Sequence, residues 1–108
     1  MSETSSARSF EFEPEAKAEF SAEVERLRET DLDLAADFFS EVHVGVRLLL
    51  QHPEAGPILG RSKVVRRKVL RRFRFSLIYA IEPELIRILA VAPHKKRPGY
   101  WRRRLHRK

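Results

Sequence analysis

The chain has 108 residues, of which 43% are hydrophobic and 34% charged, and it contains no cysteine. This length supports one hydrophobic core and one domain, and the lack of cysteine excludes disulfides and thiolate metal sites. No run approaches the roughly 18 apolar residues of a membrane span, and residues 1–9 lack the apolar core of a signal peptide. We therefore expect a soluble, cytoplasmic protein with no membrane association.

The charges are divided unevenly between the two halves of the chain. Residues 1–60 contain five basic and thirteen acidic side chains, a net charge of −8, whereas residues 61–108 contain seventeen basic and two acidic ones, a net charge of +15. The folded surface should therefore have a strongly positive face, which would attract polyanions or an acidic protein segment. The alternative is that the arginines only keep the sheet solvated.

The first half of the chain predicts a short strand and two helices. Residues 1–8 are polar and rich in serine, so we expect a disordered tail. Phenylalanine alternates with polar residues over 9–13, which indicates a strand. Apolar residues then recur every three or four positions, which predicts one helix over 14–29 and a second that ends near Gln51. The short connection makes these helices an antiparallel hairpin.

The second half predicts an antiparallel three-stranded meander over 66–92. Large apolar residues alternate with smaller ones over 75–81, and residues 85–92 form a nearly continuous apolar run that suits a central strand covered on both faces. The hairpin and the strands can bury their apolar surfaces only against each other. We predict one α+β domain over 9–104 with the order β-α-α-β-β-β and a mainly antiparallel sheet, followed by a basic tail over 105–108.

The sequence gives no support for a metal or nucleotide site. Its four histidines are far apart and lack paired carboxylates at ligand spacing, and no glycine-rich loop is followed by the lysine of a phosphate-binding loop. The acidic residues lie almost wholly on the predicted helices, in positions typical of solvent-exposed helix faces, and do not indicate a catalytic carboxylate pair. We therefore expect no metal ion and no cofactor.

Basic residues interleaved with aromatic ones are the stronger functional signal. Guanidinium groups bind phosphates and carboxylates with two parallel hydrogen bonds, and aromatic rings can stack on bases. Alternatively, the aromatic pair near the C-terminus folds back onto the core. The candidate basic face, for a target or an acidic partner, consists of Arg66, Arg67, Arg71, Arg72, Arg74, Lys95, Lys96 and Arg97, and the C-terminal segment beyond it adds Tyr100, Trp101, Arg102, Arg103 and Arg104.

Six short motifs follow one another along the chain. They are FEPEA at 12–16, QHP at 51–53, VLRRF at 69–73, LIY at 77–79, ILAVA at 88–92 and RPGYW at 97–101. In order and spacing they resemble the RelE/ParE superfamily, the toxins of bacterial type II toxin–antitoxin pairs. The resemblance covers about residues 9–104 and implies a helical hairpin packed on a small sheet, in agreement with the fold predicted from the residues.

Two positions depart from the pattern that ParE-like members often have. Phe73-Arg74-Phe75 stands in place of Phe-Pro-Tyr, and Pro93 stands in place of a histidine. His94 is displaced from that position by one residue, so we do not assign it the role of the family histidine.

The resemblance implies one of two targets. ParE-like members poison DNA gyrase and are not enzymes themselves, whereas RelE-like members are ribosome-dependent endonucleases that cut mRNA without a metal. The long hairpin, the RPGYW ending and the lack of an acid–base set favour the ParE-like branch. In the RelE-like alternative, Arg71, Lys96 and Tyr100 are the catalytic candidates. A third possibility is a non-toxic basic module that binds nucleic acid or protein.

The resemblance also implies a cognate acidic antitoxin, bound to the toxin in a hetero-oligomer. Such a partner lays a helix and an extended acidic, apolar tail across the hairpin and sheet, and a basic sheet face is the electrostatic complement of that tail. We expect Phe39 and Val46, on the second helix, to form part of the antitoxin groove.

Overall fold

A computed structural model describes residues 8–105 of the chain. The predicted order of a strand, two helices and three further strands is confirmed, and the predicted bounds agree within one or two residues. A short C-terminal helix and a single 3-10 turn at Pro53–Ala55 were not predicted. The elements are β1 (Ser9–Phe12), α1 (Pro14–Arg28), α2 (Leu32–Gln51), β2 (Val65–Leu70), β3 (Phe75–Glu82), β4 (Leu85–Pro93) and α3 (Arg102–Leu105).

The predicted tails lie mostly outside the described residues. Two of their residues are described: Arg8, whose Nε donates a hydrogen bond to the carbonyl oxygen of Glu82 (3.1 Å), and Leu105, which ends α3. In the described part of the chain, no helix combines the length and apolar character that a bilayer crossing requires.

The helices begin and end where local chemistry favours it. Pro14 opens α1, at a position where its missing N–H would have no helical partner. The Asp31 side chain caps α2 by accepting hydrogen bonds from the backbone N–H groups of Asp33 (3.0 Å) and Leu34 (3.1 Å). The second helix ends at Gln51, immediately before the residue that precedes a proline, a position that disfavours helical backbone.

The four strands form one mixed sheet with the order β1-β4-β3-β2. The first strand lies beside the last: β1 pairs with β4 in parallel, with Ser9 opposite Leu85. The other neighbours are antiparallel. The predicted central position of β4 is also confirmed, because it has a strand on each side and its residues 88–92 are buried.

The two faces of the sheet are covered by different parts of the chain. Both helices pack on the first face, which contributes Leu70, Leu77, Tyr79, Ile86, Ile88 and Val91 to the larger core. The second face contributes Val65, Ile78, Ala80, Leu89, Ala90 and Ala92, and the buried side chain of Trp101 packs against them. A register shift in the pairing of β3 with β4 places Leu89 on this second face, next to Ala90.

Tyr79 fixes the loop that follows α2. Its buried hydroxyl donates a hydrogen bond to the carbonyl oxygen of Pro53 (2.6 Å) and accepts one from the backbone N–H of Gly56 (3.0 Å). Burial is the main reason why the pKa of Tyr79 is raised. A Cβ on Gly56 would lie 2.4 Å from the carbonyl oxygen of Arg67, so only glycine allows the loop to approach β2 this closely.

Candidate functional site: a basic cleft on the second face of the sheet

A cleft of about 670 Å³ lies on the second face of the sheet, between the loop after α2 and the C-terminal segment. Apolar side chains that include Val65, Ile78, Ala92 and Trp101 form its floor. Among the described residues that line it, none is aspartate or glutamate. We call it the basic cleft, because five cations surround it: Arg61, Arg67, Lys96, Arg97 and Arg102.

One wall of the basic cleft is a loop bound to the outer edge of β2. The backbone N–H of Leu59 donates to the carbonyl oxygen of Val65 (2.8 Å), and that of Arg67 donates to Pro57 (3.1 Å). The Ser62 hydroxyl accepts a hydrogen bond from the Val65 N–H (2.9 Å). Residues 57–59 therefore occupy the edge of β2 where another strand could otherwise pair.

The opposite wall is the C-terminal segment, and Glu19 of α1 fastens it. Beyond the end of β1, no strand of the described residues pairs with the edge of β4, and Glu19 Oε1 accepts a hydrogen bond there from the Val91 N–H (3.0 Å). Arg104 donates to the Leu89 carbonyl oxygen (3.0 Å) and makes two contacts with the Glu19 carboxylate (3.0 and 2.9 Å). The Tyr100 hydroxyl donates a hydrogen bond to Glu19 Oε2 (2.8 Å). One ion pair thus satisfies the strand edge and anchors the segment.

The surroundings of Tyr100 leave its hydroxyl little freedom. Its ring has the Lys96 Nζ at 5.0 Å and the Arg104 Cζ at 5.1 Å from the centroid, both within cation–π distance. Burial is the largest cause of a strongly raised pKa for Tyr100, and the hydrogen bond to Glu19 adds to it. The hydroxyl therefore keeps its proton to a higher pH than an exposed tyrosine does.

A serine–histidine contact lies in the basic cleft where β3 and β4 meet. Ser76 Oγ is 2.9 Å from His94 Nε2, and the backbone N–H of His94 donates to the Arg74 carbonyl oxygen (2.9 Å). Ser76 is buried, whereas His94 is exposed. Sequence reasoning left His94 without a role. The available signal was the strand register, which places Ser76 opposite Ala92, two residues before this histidine.

The structure divides the predicted basic face between two places. On β2, Arg67 shares the second face with Val65 and lines the basic cleft. Arg71 and Arg72 lie beyond the end of β2 and line a smaller cleft of about 360 Å³ between α2 and β2. There, Arg72 pairs with Asp37 (3.1 Å). The expectation of a single positive face is therefore corrected: Lys96 and Arg97 join Arg67, but Arg71 and Arg72 do not.

The remaining members of the predicted basic face have separate surroundings. Arg66 donates from Nη1 to the Gly56 carbonyl oxygen (2.8 Å), and so supports the loop after α2. Arg74 ends the turn between β2 and β3 with a left-handed φ of 53°. Lys95 is exposed beyond the end of β4.

In the C-terminal segment, Trp101 is buried, in agreement with the alternative that it folds back onto the core. Arg104 of the same segment is bound to Glu19. Arg102 and Arg103 are exposed. The two residues expected in an antitoxin groove differ: Phe39 is 50% exposed, whereas Val46 is 2% exposed and packs in the core. Of these two residues, only Phe39 is accessible to a partner.

The three candidates for RNA cleavage are not brought together. Lys96 and Tyr100 line the basic cleft, whereas Arg71 lines the cleft between α2 and β2. Within residues 8–105, no group of three or more histidine and acidic side chains is placed to hold a metal ion.

Comparison with known proteins gives a family and a fold. The family model described as the ParE toxin of the type II toxin–antitoxin system parDE matches residues 10–98. Among the curated proteins, none is similar enough to count as a match. A solved structure, the chromosomal ParDE system from P. aeruginosa, aligns with a TM-score of 0.70 and 20% identity, over 82% of this chain and 98% of that chain. At this identity, the structural match shows the shared fold.

Proposed function

The chain belongs to the ParE toxin family of type II toxin–antitoxin systems, and on this basis we propose that it inhibits DNA gyrase and is neutralised by a cognate antitoxin. The family match over residues 10–98 is the observation that carries the proposal. The toxin acts in the cytoplasm and forms a hetero-oligomer with its antitoxin.

The surroundings of the candidate catalytic residues support a toxin that is not itself an enzyme. Cleavage of RNA without a metal requires a general acid and a general base near the same phosphate. Arg71 lines a different cleft from Lys96 and Tyr100. The Tyr100 hydroxyl is already engaged as the donor of a hydrogen bond to Glu19. This arrangement favours gyrase inhibition over the RelE-like alternative.

The exposed charges and apolar side chains support an acidic, partly apolar antitoxin. Lys68, Arg71 and Arg72 line the cleft between α2 and β2, and they would attract the acidic groups of such a partner. Phe39 presents half of its surface to solvent and stacks on Phe20 at a centroid distance of 5.5 Å. A rigid, exposed aromatic ring of this kind suits the apolar face of a partner helix.

A supercoiling assay with purified gyrase and relaxed plasmid tests the proposal. We expect the toxin to inhibit ATP-dependent supercoiling and to trap cleaved plasmid, and we expect added antitoxin to restore supercoiling. The variant Tyr100→Phe serves as a matched control, because it retains the ring and should inhibit gyrase as the wild type does.

Folded toxin that leaves gyrase unaffected would overturn the proposal. Cleavage of mRNA on programmed ribosomes, lost in Tyr100→Phe, would then establish the RelE-like alternative. Normal growth of a bacterial host that produces folded protein would instead indicate the non-toxic basic module.

A further inference from the structure

We propose that the basic cleft binds the phosphodiester backbone of duplex DNA, without regard to base sequence. The inference rests on the proposed function only for its biological setting, since gyrase holds the duplex that the toxin would contact. The binding itself requires no gyrase and can be measured separately.

Within residues 8–105, the cations of the basic cleft are not paired with carboxylates, in contrast to several other arginines of the protein. Arg72, Arg87 and Arg104 each pair with a carboxylate at 2.8 to 3.1 Å. Arg61, Arg67, Arg97 and Arg102 have no such pair among the described residues, and neither does Lys96. Five cations around one concave surface attract a polyanion, and arginine matches the geometry of a phosphate with two parallel hydrogen bonds.

A serine and a histidine add polar groups to this charged surface. Ser76 is 2% exposed, and its hydroxyl holds the exposed imidazole of His94 at the end of β4, immediately before the basic run 95–97. The imidazole that Ser76 holds in place can donate a hydrogen bond to a phosphate oxygen beside the stronger cationic contacts. The site therefore offers several contacts along a backbone rather than one isolated charge.

The backbone of the surrounding strands argues against an extended peptide as the occupant. A peptide that joins a sheet needs a free strand edge. The edge of β2 beside the basic cleft is already paired with residues 57–59. Beyond β1, the edge of β4 is satisfied by Glu19 and Arg104. The occupant is thus recognised by its charge rather than by a ladder of main-chain hydrogen bonds.

The aromatic residues argue against a single strand that is read by stacking. Trp101 is 7% exposed and lies in the core, and Tyr100 already has two cations within cation–π distance of its ring. Single-stranded nucleic acid is usually bound by stacking its bases on free aromatic rings. With no such ring free here among the described residues, contact through the phosphates of a duplex is the interaction that fits.

Fluorescence anisotropy with a short labelled duplex, measured over a series of salt concentrations, tests the inference. The cleft variant R67Q/R97Q is compared with R28Q/R47Q, which removes the same charge from exposed positions on α1 and α2. We expect the cleft variant to make the slope of log K against log salt less negative by about 1.8, since each lost phosphate contact removes about 0.9 from its magnitude. The helix variant should keep the wild-type slope.

If the two variants lost duplex affinity and salt dependence equally, the inference would be overturned, because net charge alone would then explain the binding. Tighter binding of polyglutamate than of the duplex at equal charge would reassign the basic cleft to an acidic protein, and tighter binding of single-stranded RNA would reassign it to RNA. Duplex binding by the basic cleft in a protein that fails to inhibit gyrase would support this inference and overturn the proposed function.

Discussion

The two faces of the sheet are built in different ways. The first face is covered by helices of 15 and 20 residues, and its contacts include the fully buried rings of Phe38 and Tyr79. The second face is covered by a loop and by a segment that ends in a four-residue helix. Three of the residues that the second face buries are alanines, which contribute little hydrophobic stabilisation. Polar contacts therefore matter more on the second face.

Most of the stability of the domain therefore comes from the first face of the sheet, and its accessible cleft lies on the second. Large apolar side chains hold the helices on the first face, and removing one leaves a cavity that the core cannot refill. On the second face, a single carboxylate, that of Glu19, joins β4, Tyr100 and Arg104. The basic cleft lies on the second face, so the function proposed for it depends on the less stable side of the sheet.

The largest effect is expected when the first face loses a core ring. Phe38→Ala should lower the free energy of unfolding by about 3–5 kcal/mol, because it deletes a buried aromatic side chain. Urea denaturation followed by circular dichroism measures this loss. The matched control is Phe39→Ala, the next residue in α2, which is 50% exposed and should lose less. Equal losses would contradict the assignment of Phe38 to the core.

An intermediate effect is expected when the anchor of the second face is removed. Glu19→Ala should cost about 2–3 kcal/mol, less than a fully buried ion pair, since the side chains of Glu19 and Arg104 are 21% and 12% exposed. Trp101 is the only tryptophan, so its emission should shift to the red while the helical dichroism persists. Hydrogen exchange should increase over residues 97–105.

Glu23→Ala is the control for this second change, because Glu23 lies on the same helix and pairs with the exposed Arg26 (2.6 Å). It should leave the emission of Trp101 unchanged. A Glu19→Ala protein with wild-type emission and exchange would show that apolar contacts alone hold the C-terminal segment.

The smallest effect concerns the pH dependence of the second face. The pKa of Tyr100 is raised above its ordinary value of 10.0 in the folded protein, first by burial and then by Glu19. Its contribution to stability is therefore complete below pH 10.0 and is lost as pH rises from there through the higher folded pKa, since the unfolded chain releases the proton first. Tyr100→Phe should remove this part of the alkaline decline in unfolding free energy.

The measurement is the difference between wild type and Tyr100→Phe in denaturant titrations at increasing pH. Tyr79 also has a raised pKa, but it is present in both proteins, so its contribution cancels. Parallel alkaline declines in the two proteins would mean that the Tyr100 hydroxyl does not contribute in this way.

The sequence predicts the first face of the sheet well because its signals are local. The helical stripe that contains Phe38 and the alternation of β3 depend on neighbours within a few positions. The run over 85–92 likewise indicates a buried central strand without knowledge of its partners.

The second face was harder to predict because its contacts join distant residues. Glu19 reaches Tyr100 and Arg104 across 81 and 85 positions, and nothing in the local pattern distinguishes it from the solvated acidic residues of α1. The short helix α3 has only four residues, too few for a periodic signal. Strand alternation predicts that Arg67 and Arg71 share a face, but β2 ends at Leu70, so Arg71 lies beyond the strand and lines the other cleft.

The central position of β4 has a consequence for the order in which the protein can fold during synthesis. Residues 85–93 leave the ribosome after helices α1 and α2 and the other three strands. Of their contacts with the sheet, however, β1 and α1 each make most with β4. Until β4 emerges, the apolar stripe of the hairpin has only part of its cover and β1 has no strand to join. The sheet is thus incomplete until residues 85–93 have emerged, and a nascent chain truncated before β4 would lack the fold.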